Sequence, residues 1–314
     1  MTRALARLLV ASALGLALLA WLTRGVDLAR LAAALRPAPW WAWVATVAGL
    51  AASYLLRALR IRAELGTRLA LGVRPCLEVM LVHNAAVNVL PMRGGEAAYP
   101  WLLHRRLGIP VSHAVASLLW MRVQDVIVLA AFAAALWPGI APPVRIAAAG
   151  ALAAAVLGAL RLLERSAVAR PSRTGGGRVG AARGALQALA LAPRHGWRGW
   201  AFCGASWTVK LAALGVLLAT LAGLGRVEGW TGALGGELAG VLPVQGPAGL
   251  GTYEAGVWAG GAVRGRSAVE IAAPALAVHL VSFATAVVAG AIAYAASRRH
   301  GRPAPAARLE HEHG

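Results

Sequence analysis

The chain has 314 residues, of which 59% are hydrophobic and only 14% charged, with a mean hydropathy of +0.64; that balance excludes a soluble domain whose surface must face water. Its 31 Lys+Arg outnumber 12 Asp+Glu. The bases fall between apolar runs, however, where membrane topology places them, which argues against a nucleic-acid binder. Cys76 and Cys203 are lone cysteines in or beside apolar segments, so neither a disulfide framework nor a metal site is expected.

Six apolar runs reach the roughly 20 residues a spanning helix needs: 4–23, 40–60, 111–137, 143–163, 198–224 and 268–297. The first carries a basic start but no convincing cleavage site, and reads as a retained helix. After it, residues 27–36 place leucines at helical spacing opposite charges, as an amphipathic helix lying flat on the membrane would. Two further apolar segments are short and interrupted. One, 77–91, runs into Pro91-Met92-Arg93-Gly94-Gly95-Glu96; the other, 231–244, runs into Gln245-Gly246-Pro247-Ala248-Gly249-Leu250-Gly251-Thr252-Tyr253-Glu254. Proline removes a backbone donor and glycine loosens the chain, so each should break at membrane depth as a re-entrant hairpin.

With the N-terminus inside, 22 arginines fall on the cytoplasmic side and 7 outside, while Arg122 and Lys210 sit within helices. This asymmetry puts both termini in the cytoplasm of a bacterial-type inner membrane. It also makes the hairpin at Pro91 enter from the cytoplasm and the one at Pro243 from outside. The expected architecture is therefore a single all-α polytopic membrane domain with an inverted repeat. Its first half is 40–163, its basic cytoplasmic linker 164–197, its second half 198–297 and its disordered tail 298–314. Val89-Leu90-Pro91 and Val241-Leu242-Pro243 echo one another at the two breaks. Paired broken helices in inverted units are how secondary transporters build a midplane site.

Charge within a bilayer costs about 2.5–3.5 kcal/mol per residue, so each such group needs a reason to be there. Asn88, Arg93, Gly94, Gly95 and Glu96 surround the first break, where amides and a guanidinium suit a phosphate; alternatively Arg93 and Glu96 pair with each other. Arg122 and Asp125, at i, i+3, share an inward helix face, as an ion pair or a binding pair. Gln245, Gly249, Tyr253 and Glu254 surround the second break. There Glu254 suits a cation, a proton, or a partner such as Arg93 or Arg122, and helix packing competes as the reason for the glycines. His83, His113 and His279 read as satisfied core or interface histidines, and Lys210 as snorkelling or paired with a carboxylate. Tryptophans at helix ends, Trp40, Trp41, Trp43 and Trp137 among them, read as an interfacial belt. No nucleotide loop, nucleophile elbow or zinc pattern occurs in the sequence, so no cofactor and no nucleic-acid partner are expected.

Asn88-Val89-Leu90-Pro91-Met92-Arg93-Gly94-Gly95-Glu96, then Arg105-Arg106-Leu107-Gly108, Arg122-Val123-Gln124-Asp125 and Pro247-Ala248-Gly249-Leu250-Gly251-Thr252-Tyr253-Glu254 together resemble the transmembrane region of lysylphosphatidylglycerol synthases, described also as flippase-like membrane proteins. The likeness spans residues 50 to 295. It departs at Tyr99, where the family often has an arginine, and at Gln245-Gly246-Pro247. The resemblance implies lipid translocation or binding. Larger members add a soluble domain that attaches an amino acid to phosphatidylglycerol, and that activity is not expected of this sequence. The expected function is a flippase-like transporter of a polar or anionic lipid, with membrane lipids as ligands and a homo-oligomer or a partner synthase as possible company. The alternatives are an intramembrane lipid-modifying enzyme and a non-transporting accessory subunit of a lipid or glycosyl synthase.

Overall fold

A computed structural model describes residues 28–65, 71–90, 95–169, 196–241, 247–261 and 265–299. The expected first span, 4–23, lies outside these, as do most of the linker and nearly all of the tail. The described residues form α1 (Leu28–Leu35), α2 (Trp40–Leu65), α3 (Val73–Val89), α4 (Ala98–Leu107), α5 (Val111–Leu136), α6 (Pro142–Ala169), α7 (Trp197–Ala222), α8 (Arg226–Val241), a 3-10 turn (Pro247–Gly249), α9 (Thr252–Gly261) and α10 (Ala268–Arg299). No strand occurs among them. Five helices, α2, α5, α6, α7 and α10, are long and apolar enough to cross a membrane, at the positions the apolar runs indicate. The chain is a multi-pass membrane protein. The amphipathic segment is α1, which packs through Leu35 against the core between α7 and α10.

One boundary differs instructively from the sequence reading. α2 runs to Leu65 rather than stopping near residue 60, because Arg57 and Arg60 do not end it at a headgroup layer. Arg60 is 3% exposed and turns inward. Both arginines therefore leave the cytoplasmic topology count and join the interior.

The lengths of the elements repeat. α2, α3, α4 and α5 have 26, 17, 10 and 26 residues, and α7, α8, α9 and α10 have 26, 16, 10 and 32. Packing repeats as well. α2 lies along its counterpart α7; α3 against α10 answers α8 against α5; and α5 against α7 answers α10 against α2. The second unit thus repeats the first in element order, length and packing. At 1.5 Å per residue, α3 and α8 reach about 25 Å and α4 and α9 about 15 Å, short of a hydrocarbon core of about 30 Å.

Lipid gives helices no hydrophobic reason to associate, so close backbone approach through small residues does that work. α8 and α9 form an antiparallel hairpin: a Cβ on Gly235 would lie 2.1 Å from the Gly256 carbonyl oxygen, and one on Gly260 2.0 Å from that of Thr231. In the first half Gly95 sits directly on α3, where a Cβ would come within 2.2 Å of the Ala86–Val87 backbone. Between the halves, Gly49 faces Ala213, and Ser53 Oγ donates to the Ser206 carbonyl at 3.0 Å. The 3-10 turn at the head of α9 rests against α3, so the tip of the second hairpin adjoins the first.

Two apolar clusters result. The larger draws on α2, α5, α7, α8, α9 and α10, and the smaller, around Ala58, Met80, Tyr99 and Met121, on α2 through α5. Charged side chains occupy the seam between them.

Candidate functional site

The seam is built around Asp125, midway along α5. Its Oδ1 accepts Arg60 Nη1 at 2.7 Å, Trp207 Nε1 at 2.9 Å and the Cys203 thiol at 3.5 Å, while Oδ2 accepts Arg122 Nη1 at 3.1 Å. Three helices, α2, α5 and α7, thus meet at one carboxylate. Arg60 spends its remaining donors on Gln124 Oε1, at 2.9 Å, and on the Met121 carbonyl, while Gln124 passes its amide to Glu64 at 2.9 Å. Arg122 Nη2 reaches both oxygens of Glu96, at 2.7 and 2.9 Å, which ties α5 to the start of α4. His83 Nε2 stands 3.9 Å from Glu96, and the His83 ring meets Tyr99 edge-on. Around this network a pocket opens, lined by Arg57, Arg60, His83, Asn84, Arg122 and Asp125 on its polar side and by Met80, Val87, Leu118 and Met121 on its apolar side.

Buried ion pairs in lipid repay their desolvation only when every partner is matched. Asp125 meets that condition with two guanidinium groups and an indole. A neighbouring pair follows the same rule: Lys210 Nζ lies 2.6 Å from Glu237 Oε2, joining α7 to α8, with side chains 13% and 12% exposed. Lys210 also stands 5.3 Å from the Trp207 ring, so Trp207 links this pair to the Asp125 network. Breaking a buried pair from one side costs about 3–5 kcal/mol, so Lys210→Met and Glu237→Gln should each lower the thermal midpoint in detergent more than the double variant does. Purely additive midpoint shifts would contradict that coupling.

At the second break Glu254 has a different partner from those considered in the sequence. Its Oε1 meets His279 Nδ1 at 2.8 Å and its Oε2 accepts the Gly251 N–H at 2.7 Å, so it is joined to α10 and caps α9 rather than reaching Arg122. Tyr253 stacks on His279 at 4.4 Å, and its buried hydroxyl makes no hydrogen bond. Gly249, at φ +81°, takes the left-handed turn leading into α9, within 4 Å of the His279 ring at the position of an added Cβ. These residues form a second polar group, apart from the Asp125 pocket.

Of the residues singled out from the sequence, the structure therefore joins Glu96, Arg122 and Asp125, and separately joins Gly249, Tyr253 and Glu254. Asn88 donates its side-chain amide to the Asn84 carbonyl at 2.7 Å, one turn back on its own helix. Gly95 is fixed by packing. Arg93, Gly94 and Gln245 lie outside the described residues. Tyr99, where the family pattern has an arginine, is buried and bonded to Ser117 at 3.0 Å.

Sequence reasoning missed Arg57, Arg60, Gln124 and Trp207. A signal for the first two existed: Ser53, Arg57, Arg60 and Glu64 recur at spacings of four, three and four, a polar stripe down one face of α2. Trp207, with Lys210 three residues later, lies mid-helix and not at an interface.

Among the described residues no group of three or more His, Cys, Asp and Glu is arranged to hold a metal ion. Compared with known proteins, residues 5–290 match the family model described as "Lysylphosphatidylglycerol synthase TM region". No curated protein matches the chain.

Proposed function

Since the chain belongs to the lysylphosphatidylglycerol synthase TM region family, membrane proteins of lipid metabolism or transport, we propose that it is a flippase-like transporter which takes a polar or anionic lipid head group into the pocket between α2, α3 and α5. The observation that carries this reading is one pocket holding Arg57, Arg60 and Arg122 beside an apolar wall. Such a pocket fits an amphiphile with an anionic end. In this reading α3–α4 and α8–α9 are re-entrant hairpins entering from opposite leaflets, and the inverted repeat supplies two related arrangements between which the site alternates. The protein acts in the inner membrane with both termini in the cytoplasm, and moves lipid without altering it.

Purified protein in liposomes should carry head-group-labelled phosphatidylglycerol between leaflets. Arg122→Gln, which keeps the side chain's bulk and removes the charge beside Glu96, should cut that rate by roughly 10-fold or more, the worth of one charge-assisted hydrogen bond. Absence of movement for every phospholipid tested would end the transport reading. A change in lipid species rather than in leaflet would favour an enzyme.

A further inference from the structure

The pocket's cations are not equivalent, and the difference points to the atom that binds. Arg60 is saturated by Gln124, Asp125 and the Met121 carbonyl. Arg122 gives its two terminal nitrogens to Glu96 and Asp125. Arg57 differs: its Nε and Nη2 are buried and donate no hydrogen bond. One more buried donor of the same lining lacks a partner, Arg122 Nε. Native interiors rarely leave such donors unmatched, and a cluster of them around one opening signals a missing acceptor.

The way Arg57 is held sharpens this. Its guanidinium carbon lies 4.7 Å from the Trp207 ring centroid, and Trp207 is itself fixed by its bond to Asp125. A guanidinium stacked by its face keeps its N–H edges for acceptors. The one carboxylate of the pocket lining, Asp125, is already engaged by Arg60, Arg122 and Trp207, which leaves the Arg57 edge open to an acceptor from outside the protein. Two parallel oxygens of an anionic group match such an edge, as a phosphate provides. The apolar side of the pocket, Met80, Val87, Leu118 and Met121, has no use for a free inorganic ion.

Resting on the head-group reading above, we propose that Arg57 is the phosphate ligand of the site and that the group it holds is the phosphodiester of a membrane phospholipid. Recognition at this position depends on the phosphate and is indifferent to what is esterified beyond it.

The test uses the full chain in detergent and three soluble probes: short-chain phosphatidylglycerol, the diacylglycerol of the same chains, and inorganic phosphate. Wild type should bind the phospholipid and not the diacylglycerol. Arg57→Gln should lose about 10-fold or more in affinity, with Arg57→Lys intermediate, because charge survives there without the planar fork. Arg74→Gln, at an exposed arginine outside the pocket, should bind as wild type, and thermal unfolding checks that each variant is folded. Equal binding of diacylglycerol and phospholipid, or undiminished binding by Arg57→Gln, would overturn the assignment even if liposomes show transport. Binding of inorganic phosphate alone would overturn the lipid as its source. Phospholipid binding that depends on Arg57, without movement between leaflets, would uphold this ligand and refute the transporter.

Discussion

Asp125→Ala should be the most damaging single change in the molecule. It strips Arg60 and Arg122 of their shared carboxylate and leaves the Trp207 N–H without its acceptor, and of these Arg60 and Trp207 are buried while Arg122 is partly exposed. Removing one partner of a buried pair costs about 3–5 kcal/mol, and here two guanidinium groups lose the same partner. The expected result is a protein that is poorly recovered from membranes or has a sharply lowered thermal midpoint in detergent. Asp125→Asn separates the causes, because it preserves shape and one acceptor while deleting the charge. Pairing it with Arg60→Gln should restore part of the loss, since the double change removes a cation together with the anion. Wild-type stability of Asp125→Asn would mean that the carboxylate is not the hub of the α2, α5 and α7 contact.

The second large effect is steric. Gly235→Val in α8 would place its Cβ within 2.1 Å of the Gly256 carbonyl oxygen, against backbone that cannot swing aside as a side chain does. α8 and α9 would have to separate. Overpacking costs about 1–3 kcal/mol in ordinary cores, and more is expected where the clash is with main chain. The separation would also displace Tyr253 and Glu254 from His279, at the start of α9. The variant should fold less stably, with a lowered thermal midpoint in detergent. Gly240→Val is the control, since a Cβ there meets nothing within 4 Å. Equal tolerance of both substitutions would refute the close hairpin.

Much of this architecture was legible in the residues. Apolar runs located every described span, because length and hydropathy are what a bilayer demands of a helix. The two helix breaks were legible from Pro91 and from the glycines around residue 250, since both residue types interrupt a helix, and α3 ends at Val89 and α8 at Val241. Arg122 and Asp125 were legible because a spacing of three puts them on one face. What was not legible is which charges pair across helices. Glu254 could as easily have met a cation of the first half as His279, because partner choice is decided by packing between α9 and α10 and leaves no trace in local spacing. Arg57 and Arg60 were misplaced for a related reason. An arginine near the end of an apolar run looks like a topology marker, and only the stripe from Ser53 to Glu64 shows that this face of α2 turns inward.

The same stripe explains why the pocket sits where it does. It brings cations from α2 level with Asp125, while Gly95 lets Glu96 approach α3 and meet Arg122. Local sequence choices on four elements thus converge on one polar opening between two apolar clusters.

The most direct test is to locate the lipid. A phospholipid carrying a photoreactive group beside its phosphate, cross-linked in liposomes and mapped by peptide mass spectrometry, should label α2 near Arg57 and α3 near Asn84 and Val87. That labelling should disappear with excess unlabelled phospholipid. Labelling confined to α6, whose spanning window is wholly on the outside of the bundle, would show lipid meeting the protein only as solvent and would contradict a head-group pocket.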